Sequence, residues 1–239
     1  MDRVERNVFM DTTVEERKAY EPCQLVLLDR KEQLHSKRGY WVLRRGQDIF
    51  FSAMALLVLW PLMLLVALIV YLDDPHGSPI FAQTRCGRDG KLFKMYKFRS
   101  MYVDAEDRLK DLLKDNEMDG PAFKIKDDPR ITRMGHFLRR TSIDELPQLI
   151  NIIKGDMSII GPRPPLPREV EQYNEYQLHR LDVKTGLACY HECMGRSDSS
   201  DFDEWVASDL KYIRERSFRT DLKVIFMTIK VVLTGKGAV

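Results

Sequence analysis

Residues 49–72 read IFFSAMALLVLWPLMLLVALIVYL, 24 residues without a charge. As a straight helix this stretch is about 36 Å long, enough to cross a hydrocarbon core of about 30 Å with tilt. Two features favour a different path. Pro61 stands at the midpoint, where it removes the hydrogen bond to the carbonyl of Leu57 and tends to kink the helix. Basic residues flank both ends, with Lys37, Arg38, Arg44 and Arg45 before and Arg85, Arg88 and Lys91 after. A span puts one basic flank on the wrong side of the membrane, whereas a re-entrant helix–break–helix keeps both in the cytosol. The segment is therefore expected to be re-entrant and broken at Pro61, although prolines also occur in spanning helices.

The rest of the chain has a soluble composition. Of 239 residues 31% are charged and the net charge is +2, which argues against a nucleic-acid partner. Cys23, Cys86, Cys189 and Cys193 have no disulfide-framework spacing, which fits a reducing compartment. Cys189-Tyr190-His191-Glu192-Cys193 offers three ligand types but no second cluster, so no metal is expected there. The first 40 residues are polar and mixed in charge, with no secretory leader pattern. Three parts follow: an extension of unassigned role over 1–40, a membrane segment over 41–75 and a cytosolic domain over 76–239.

Within that domain, Pro79–Arg85 and Leu92–Arg99 read as two strands around a turn at Gly87–Gly90. Asp104–Asp115 reads as a polar helix, Asp127–Arg130 as a loop and Met134–Arg139 as a short helix or turn. Ser142 and Glu145 match a capping box for a helix that runs to about Ile153 and stops at Gly155. Glu169–Arg180 is a further polar helix, and Ser200-Asp201 caps another that carries Phe202, Trp205 and Leu210. The last helix, Asp221–Leu233, is apolar enough to fill a core or lie in the membrane interface. The fold class is thus mixed α/β and mainly helical, with a small sheet.

The chemistry concentrates at Asp144 and Glu145. First-turn carboxylates commonly complement a helix dipole and do nothing else. Here Arg139 and Arg140 precede them, Arg163 follows between Pro162 and Pro164, and Lys97 and Arg99 add charge from the second strand. Arginine forks bind phosphate in a bidentate manner. Two carboxylates near a bound diphosphate also make a Mg²⁺ site, because that ion takes one or two carboxylates plus substrate phosphates. An ionised carboxylate can attack phosphorus, and phosphoryl transfer at a membrane is the reaction this set suggests.

Several ordered motifs then make a family resemblance. They are Tyr96-Lys97-Phe98-Arg99-Ser100-Met101, Ser142-Ile143-Asp144-Glu145-Leu146-Pro147-Gln148-Leu149, Lys154-Gly155-Asp156-Met157-Ser158 and Gly161-Pro162-Arg163-Pro164, with Asp209-Leu210 and Asp221-Leu222-Lys223 in the tail. Over residues 40–239 the chain resembles the bacterial sugar transferases, the small monotopic phosphoglycosyl transferases. The resemblance implies transfer of a sugar phosphate from a UDP-sugar to a polyprenol phosphate such as undecaprenyl phosphate, releasing UMP. It implies a ping-pong cycle through a covalent phosphosugar on Asp144, assisted by Glu145, with Mg²⁺ on Asp144. Lys97, Arg139 and Arg163 match basic positions around the phosphates, and Asp156 and Arg196 fall in matching segments. A cytosol-facing site on the bacterial inner membrane, interfacial amphipathic helices and downstream glycosyltransferases as partners belong to the same expectation. One stretch departs from the family pattern. Thr185–Met194 is rewritten before Gly195-Arg196, which bears on the choice of sugar and leaves an inactive membrane adaptor as the alternative reading.

Overall fold

The computed structural model describes residues 38–125, 127–193 and 201–234. Its longest element is helix α1, Arg38–Asp73, which carries Pro61 inside it. The expectation of two helices separated by a break is thereby corrected: the helix is uninterrupted at Pro61, whose missing N–H affects a single hydrogen bond of the ladder. It is long and apolar enough to cross a membrane.

Strands β1 (Ile80–Cys86) and β2 (Leu92–Phe98) form an antiparallel hairpin in which Ile80 pairs with Phe98 and Cys86 with Leu92. Helix α2 (Ala105–Leu112) follows, and then α3 (Arg133–Arg140), capped by the Thr132 hydroxyl, which accepts from Gly135 N. Gly135 is required here: a Cβ would lie 2.0 Å from the carbonyl oxygen of Ser100, so only glycine lets α3 approach the end of β2.

The expected capping box does not form. Ser142 takes a left-handed conformation (φ 55°) and makes no side-chain cap. It reverses the chain into a single 3₁₀ turn, Ile143–Glu145, and Pro147 delays the start of α4 to Gln148–Lys154. Gly155 ends α4 in the left-handed region (φ 94°), as its position suggests. The Asn151 side chain pins α4 to β2, accepting from Tyr96 N at 3.0 Å and donating to Lys94 O at 2.7 Å. This covers a strand edge that is otherwise open.

The strands β3 (Ser158–Ile160) and β4 (Gly186–Ala188) form a second, parallel pair that the sequence pattern did not reveal. The expected helix over Glu169–Arg180 is replaced by short turns at Pro167–Val170, Glu175–Leu178 and His179–Asp182. Helix α5 (Phe202–Glu215) is capped by Asp201, and α6 (Phe218–Thr234) starts one turn earlier than expected. Residues 1–37, including most of the proposed extension, lie outside the described residues.

Helix α1 docks on the domain at both ends. Near its start Arg44 donates to Ser158 Oγ at 3.1 Å and to Tyr212 Oη at 2.8 Å. Asp48 accepts from Ile159 N at 2.9 Å and from the Ser158 hydroxyl. Arg45 caps the C-terminal carbonyls of α4 at Ile152 and Ile153. Near its end Val66 and Val70 pack on Phe98 and Leu138. Just past it Asp74 pairs with Arg99 at 3.0 Å. Between these docks, Leu57, Val58, Trp60, Pro61 and Leu62 are all exposed.

Candidate active site

Three neighbouring elements bring the charged groups together. Lys97 comes from β2, Arg139 from the last turn of α3, and Asp144 and Glu145 from the 3₁₀ turn that Ser142 creates. Lys97 Nζ lies 2.7 Å from Glu145 Oε1 and 3.8 Å from Asp144 Oδ2. Arg139 Nε donates to Ser100 Oγ at 3.0 Å, which fixes the guanidinium at the end of β2.

Asp144 is buried. Burial pushes its carboxyl above the ordinary range, Lys97 pulls it back, and the Glu145 charge adds to the rise. For Glu145 burial is outweighed by Lys97, by Arg163 and by hydrogen bonds from Lys97 and Gln148, which hold it below the ordinary range. The two carboxylates therefore titrate as a pair, with Glu145 the easier to ionise.

Lys97 joins the pair to a cleft of about 620 Å³, within the range of small-molecule sites. Arg85, Arg99, Arg139 and Arg163 also line it. These cations crowd one another. Burial and the Arg163 charge push Arg85 down to about 10. Burial also lowers Arg139, with the Arg163 charge adding to the fall against the pull of Asp144. Burial would lower Arg163 too, but the Glu192 and Glu145 charges outweigh it and hold it up, so Arg85 and Arg139 are the cations a bound anion would relieve.

Arg163 stands on a fixed backbone. Gly161 N donates to Ala188 O, Gly186 N to Pro162 O and Cys86 N to Pro165 O, while Arg85 donates to Pro164 O at 3.0 Å. Its side chain pairs with Glu192 at 3.1 Å, with both side chains partly in solvent.

The structure thus joins Asp144 and Glu145 to Lys97 and sets Arg139 and Arg163 on the same cleft. Arg99 also lines the cleft, but Asp74 engages its guanidinium, so it anchors the end of α1. Asp156 accepts from Asn151 at 3.2 Å beyond the far end of α4 and does not line the cleft. Arg140 is exposed. Arg196 lies outside the described residues. Ser100 and Arg85 were missed because a serine after a strand and an arginine inside one carry no distinctive pattern.

Among the described residues no cluster of three or more His, Cys, Asp or Glu side chains would hold a metal alone. The donor set nevertheless fits Mg²⁺, since Asp144 with Glu145 beside it supplies one or two carboxylates and a substrate phosphate supplies the rest.

A buried carboxylate beside a lysine, at the edge of an arginine-lined cleft on an α/β domain with a long apolar helix, is an arrangement suited to an anionic ligand at a membrane. The chain belongs to the bacterial sugar transferase family, whose model matches residues 39–235. It is 46% identical over 202 residues to the galactosyl transferase CpsE of Streptococcus agalactiae, covering 84% of this chain and 44% of that protein. It is 41% identical over 217 residues to the undecaprenyl-phosphate galactose phosphotransferase of Salmonella typhimurium, covering 89% and 45%. It is 43% identical over 208 residues to the exopolysaccharide production protein PSS of Rhizobium leguminosarum, covering 82% and 98%. The chain therefore spans under half the length of the first two relatives and nearly all of the third.

Proposed function

We propose that this protein transfers a sugar 1-phosphate from a UDP-sugar to a polyprenol phosphate, undecaprenyl phosphate in bacteria, as the first membrane step of a surface polysaccharide or protein glycan. The observation that carries the reading is Asp144, a buried carboxylate 3.8 Å from Lys97 at the edge of the cationic cleft. Family membership and the similarity to the undecaprenyl-phosphate galactose phosphotransferase and the exopolysaccharide production protein support it.

In the first half of the cycle an Asp144 oxygen attacks the phosphorus that bears the sugar. The bond from that phosphorus to the bridging oxygen breaks, and UMP leaves. In the second half a phosphate oxygen of the polyprenol phosphate attacks the same phosphorus, the aspartyl bond breaks, and the lipid diphosphosugar leaves. The carboxylate needs no general base. Lys97 and Glu145 hold it in place, while Arg139 and Arg163 neutralise the phosphates. Mg²⁺, held by Asp144 and Glu145 together with substrate oxygens, would add charge neutralisation at the reacting phosphate.

The same reading places the chain on the cytosolic face of the inner membrane, with α1 re-entrant. A straight helix of 36 residues is about 54 Å long. One face of α1 packs on the domain along its length, through Ala55, Leu56, Met63, Val66 and Val70, while the opposite face around Pro61 is apolar and exposed, which supports a helix that enters one leaflet from the domain's side. Downstream glycosyltransferases would then take the product at the same surface.

The test is purified protein in nanodiscs with Mg²⁺, undecaprenyl phosphate and a panel of UDP-sugars. UMP release from one donor and a phosphosugar adduct on Asp144 by mass are expected, both lost in Asp144→Asn. Release of UDP, or full turnover by Asp144→Asn, refutes the covalent route. Failure of every donor favours the inactive adaptor.

A further inference from the structure

A second group of cations lies outside the cleft, where the start of α1 meets the C-terminal end of α4. Arg45 Nη1 donates to Ile152 O at 2.6 Å and Nη2 to Ile153 O at 2.7 Å, which leaves other N–H groups of the same fork unused. Gly155, which ends α4, keeps open a space that this fork borders. A Cβ placed there would lie 3.3 Å from Arg45 Nη2 and 3.6 Å from Lys184 Nζ. Lys184 is half-buried and, among the described residues, makes no ion pair and no side-chain hydrogen bond. Lys154, the last residue of α4, is exposed and adds a third charge. None of the three lines the cleft.

Little negative charge answers these cations. Asp48 is occupied by the Ser158 hydroxyl and by Ile159 N. Asp156 accepts from Asn151 and stays 3.9 Å from Lys154. Burial lowers Lys184, and the Arg45 and Arg88 charges lower it further, by more than Asp48 and Asp156 restore. Crowded cations around an open space favour an anion, and an arginine fork beside a lysine suits a phosphate. The place fixes where that phosphate comes from. Arg45 stands one turn before the exposed Ile49, where the uncharged stretch 49–72 begins. On α4 the exposed Ile150 stands one turn before Lys154. Each helix therefore carries an apolar side chain one turn from its cation, which matches a lipid headgroup above its acyl chains.

We propose that Arg45, Lys154 and Lys184 bind the phosphate of an anionic membrane phospholipid, whose acyl chains lie along Ile49 and Ile150. One lipid then joins the membrane helix, the end of α4 and the segment that enters β4. The site is separate from the cleft and holds whether or not the chain transfers a sugar phosphate.

The experiment titrates the full chain in a neutral detergent with three probes: dihexanoyl phosphatidylglycerol, dihexanoyl phosphatidylcholine and inorganic phosphate. The readout is the midpoint of thermal unfolding, which a ligand of the folded state raises in proportion to its occupancy of the site. Native mass spectrometry of the same samples counts the lipids bound. Phosphatidylglycerol should raise the midpoint and the other two probes should not. Lys184→Gln should require about 5-fold more phosphatidylglycerol for the same rise, and Lys154→Gln with Lys184→Gln about 25-fold more, the range for one and two cations at a membrane surface. Arg45 is left intact because it also caps α4. Lys110→Gln, which removes an exposed charge on α2, should match the parent. Three results overturn the proposal. One is no rise with phosphatidylglycerol in the parent. Another is a rise that the Lys154 and Lys184 substitutions leave unchanged, which puts the lipid elsewhere, the cleft included. The third is an equal rise with inorganic phosphate, which makes this a site for a soluble anion.

Discussion

Lys97 is the cation on which both carboxylates depend, and its removal is the sharpest test of the site. At 3.8 Å and an effective dielectric constant of about 20, its attraction for an ionised Asp144 is about 4 kcal/mol. Water reaches part of the lysine, and Glu145 holds it more closely at 2.7 Å, so only part of this acts on Asp144. That pull still opposes the rise that burial imposes on Asp144. Burial already raises Asp144 and Lys97 opposes that rise, so Lys97→Met makes the carboxyl harder still to ionise. The reactive carboxylate is lost as pH falls. The acid limb of the rate therefore moves to higher pH. The assay is single-turnover formation of the phosphosugar adduct across a pH series, compared between parent and variant. At neutral pH a rate loss of about 100-fold is expected, since one preorganised cation is gone. Lys97→Arg keeps the charge and should leave the limb near its original place. An acid limb that does not move in Lys97→Met refutes the assignment of Lys97 as the group that keeps Asp144 ionised.

Two further outcomes concern buried ion pairs. Asp209→Asn leaves the Arg180 guanidinium buried without its counter-charge, the two side chains being 2% and 1% exposed, and should cost about 3–5 kcal/mol. Thermal unfolding in nanodiscs should fall by about 10 °C, and an unchanged midpoint would contradict it. Asp128 is also paired, with Arg130 at 2.6 Å. Burial would raise its carboxyl, but hydrogen bonds from Arg130 win and hold it low. Its stabilisation is therefore present above the unfolded pKa of about 3.9 and lost as pH falls through the lower folded value. Asp128→Asn should be less stable than the parent by about 1.5–3 kcal/mol at pH 7, with the gap closing below about pH 3. A gap that is the same at both pH values in denaturant titrations counts against this.

Much of the hairpin, the polar helix and the last two helices could be read from the chain, because alternation, capping by Asp201 and apolar periodicity act over a few neighbours. The turn around Asp144 could not. Ser142 and Glu145 satisfy the capping pattern, yet a left-handed Ser142 and the missing N–H of Pro147 give a 3₁₀ turn instead. Strands β3 and β4 are three residues each and pair across 28 positions of sequence, too short for a pattern. The residues around the phosphates were legible as charges, but partners decide what a charge does. Asp74 engages Arg99 at the cleft wall, and Asn151 engages Asp156 away from it, contacts that no local pattern announces.

That scaffold links the membrane to the reaction. The end of α1 is fixed by Val66 and Val70 against Phe98 and Leu138, and just beyond it Asp74 holds Arg99. Phe98 and Arg99 immediately follow Lys97 on β2, and Leu138 immediately precedes Arg139 on α3. The two cations nearest the dyad are therefore each one residue from a contact with the membrane helix. The start of α1 is fixed separately, through Arg44 and Asp48 to β3 and α5, and through Arg45 to the carbonyls that end α4. Helix α4 follows the dyad turn directly. Hence the depth at which α1 sits sets the height of Asp144 above the lipid. In the proposed cycle the carboxylate meets a soluble nucleotide in one half-reaction and a lipid phosphate in the other, and so has to be held at that height. A rigid dock at each end of α1 does this, where a flexible tether between anchor and domain would let the site leave the surface.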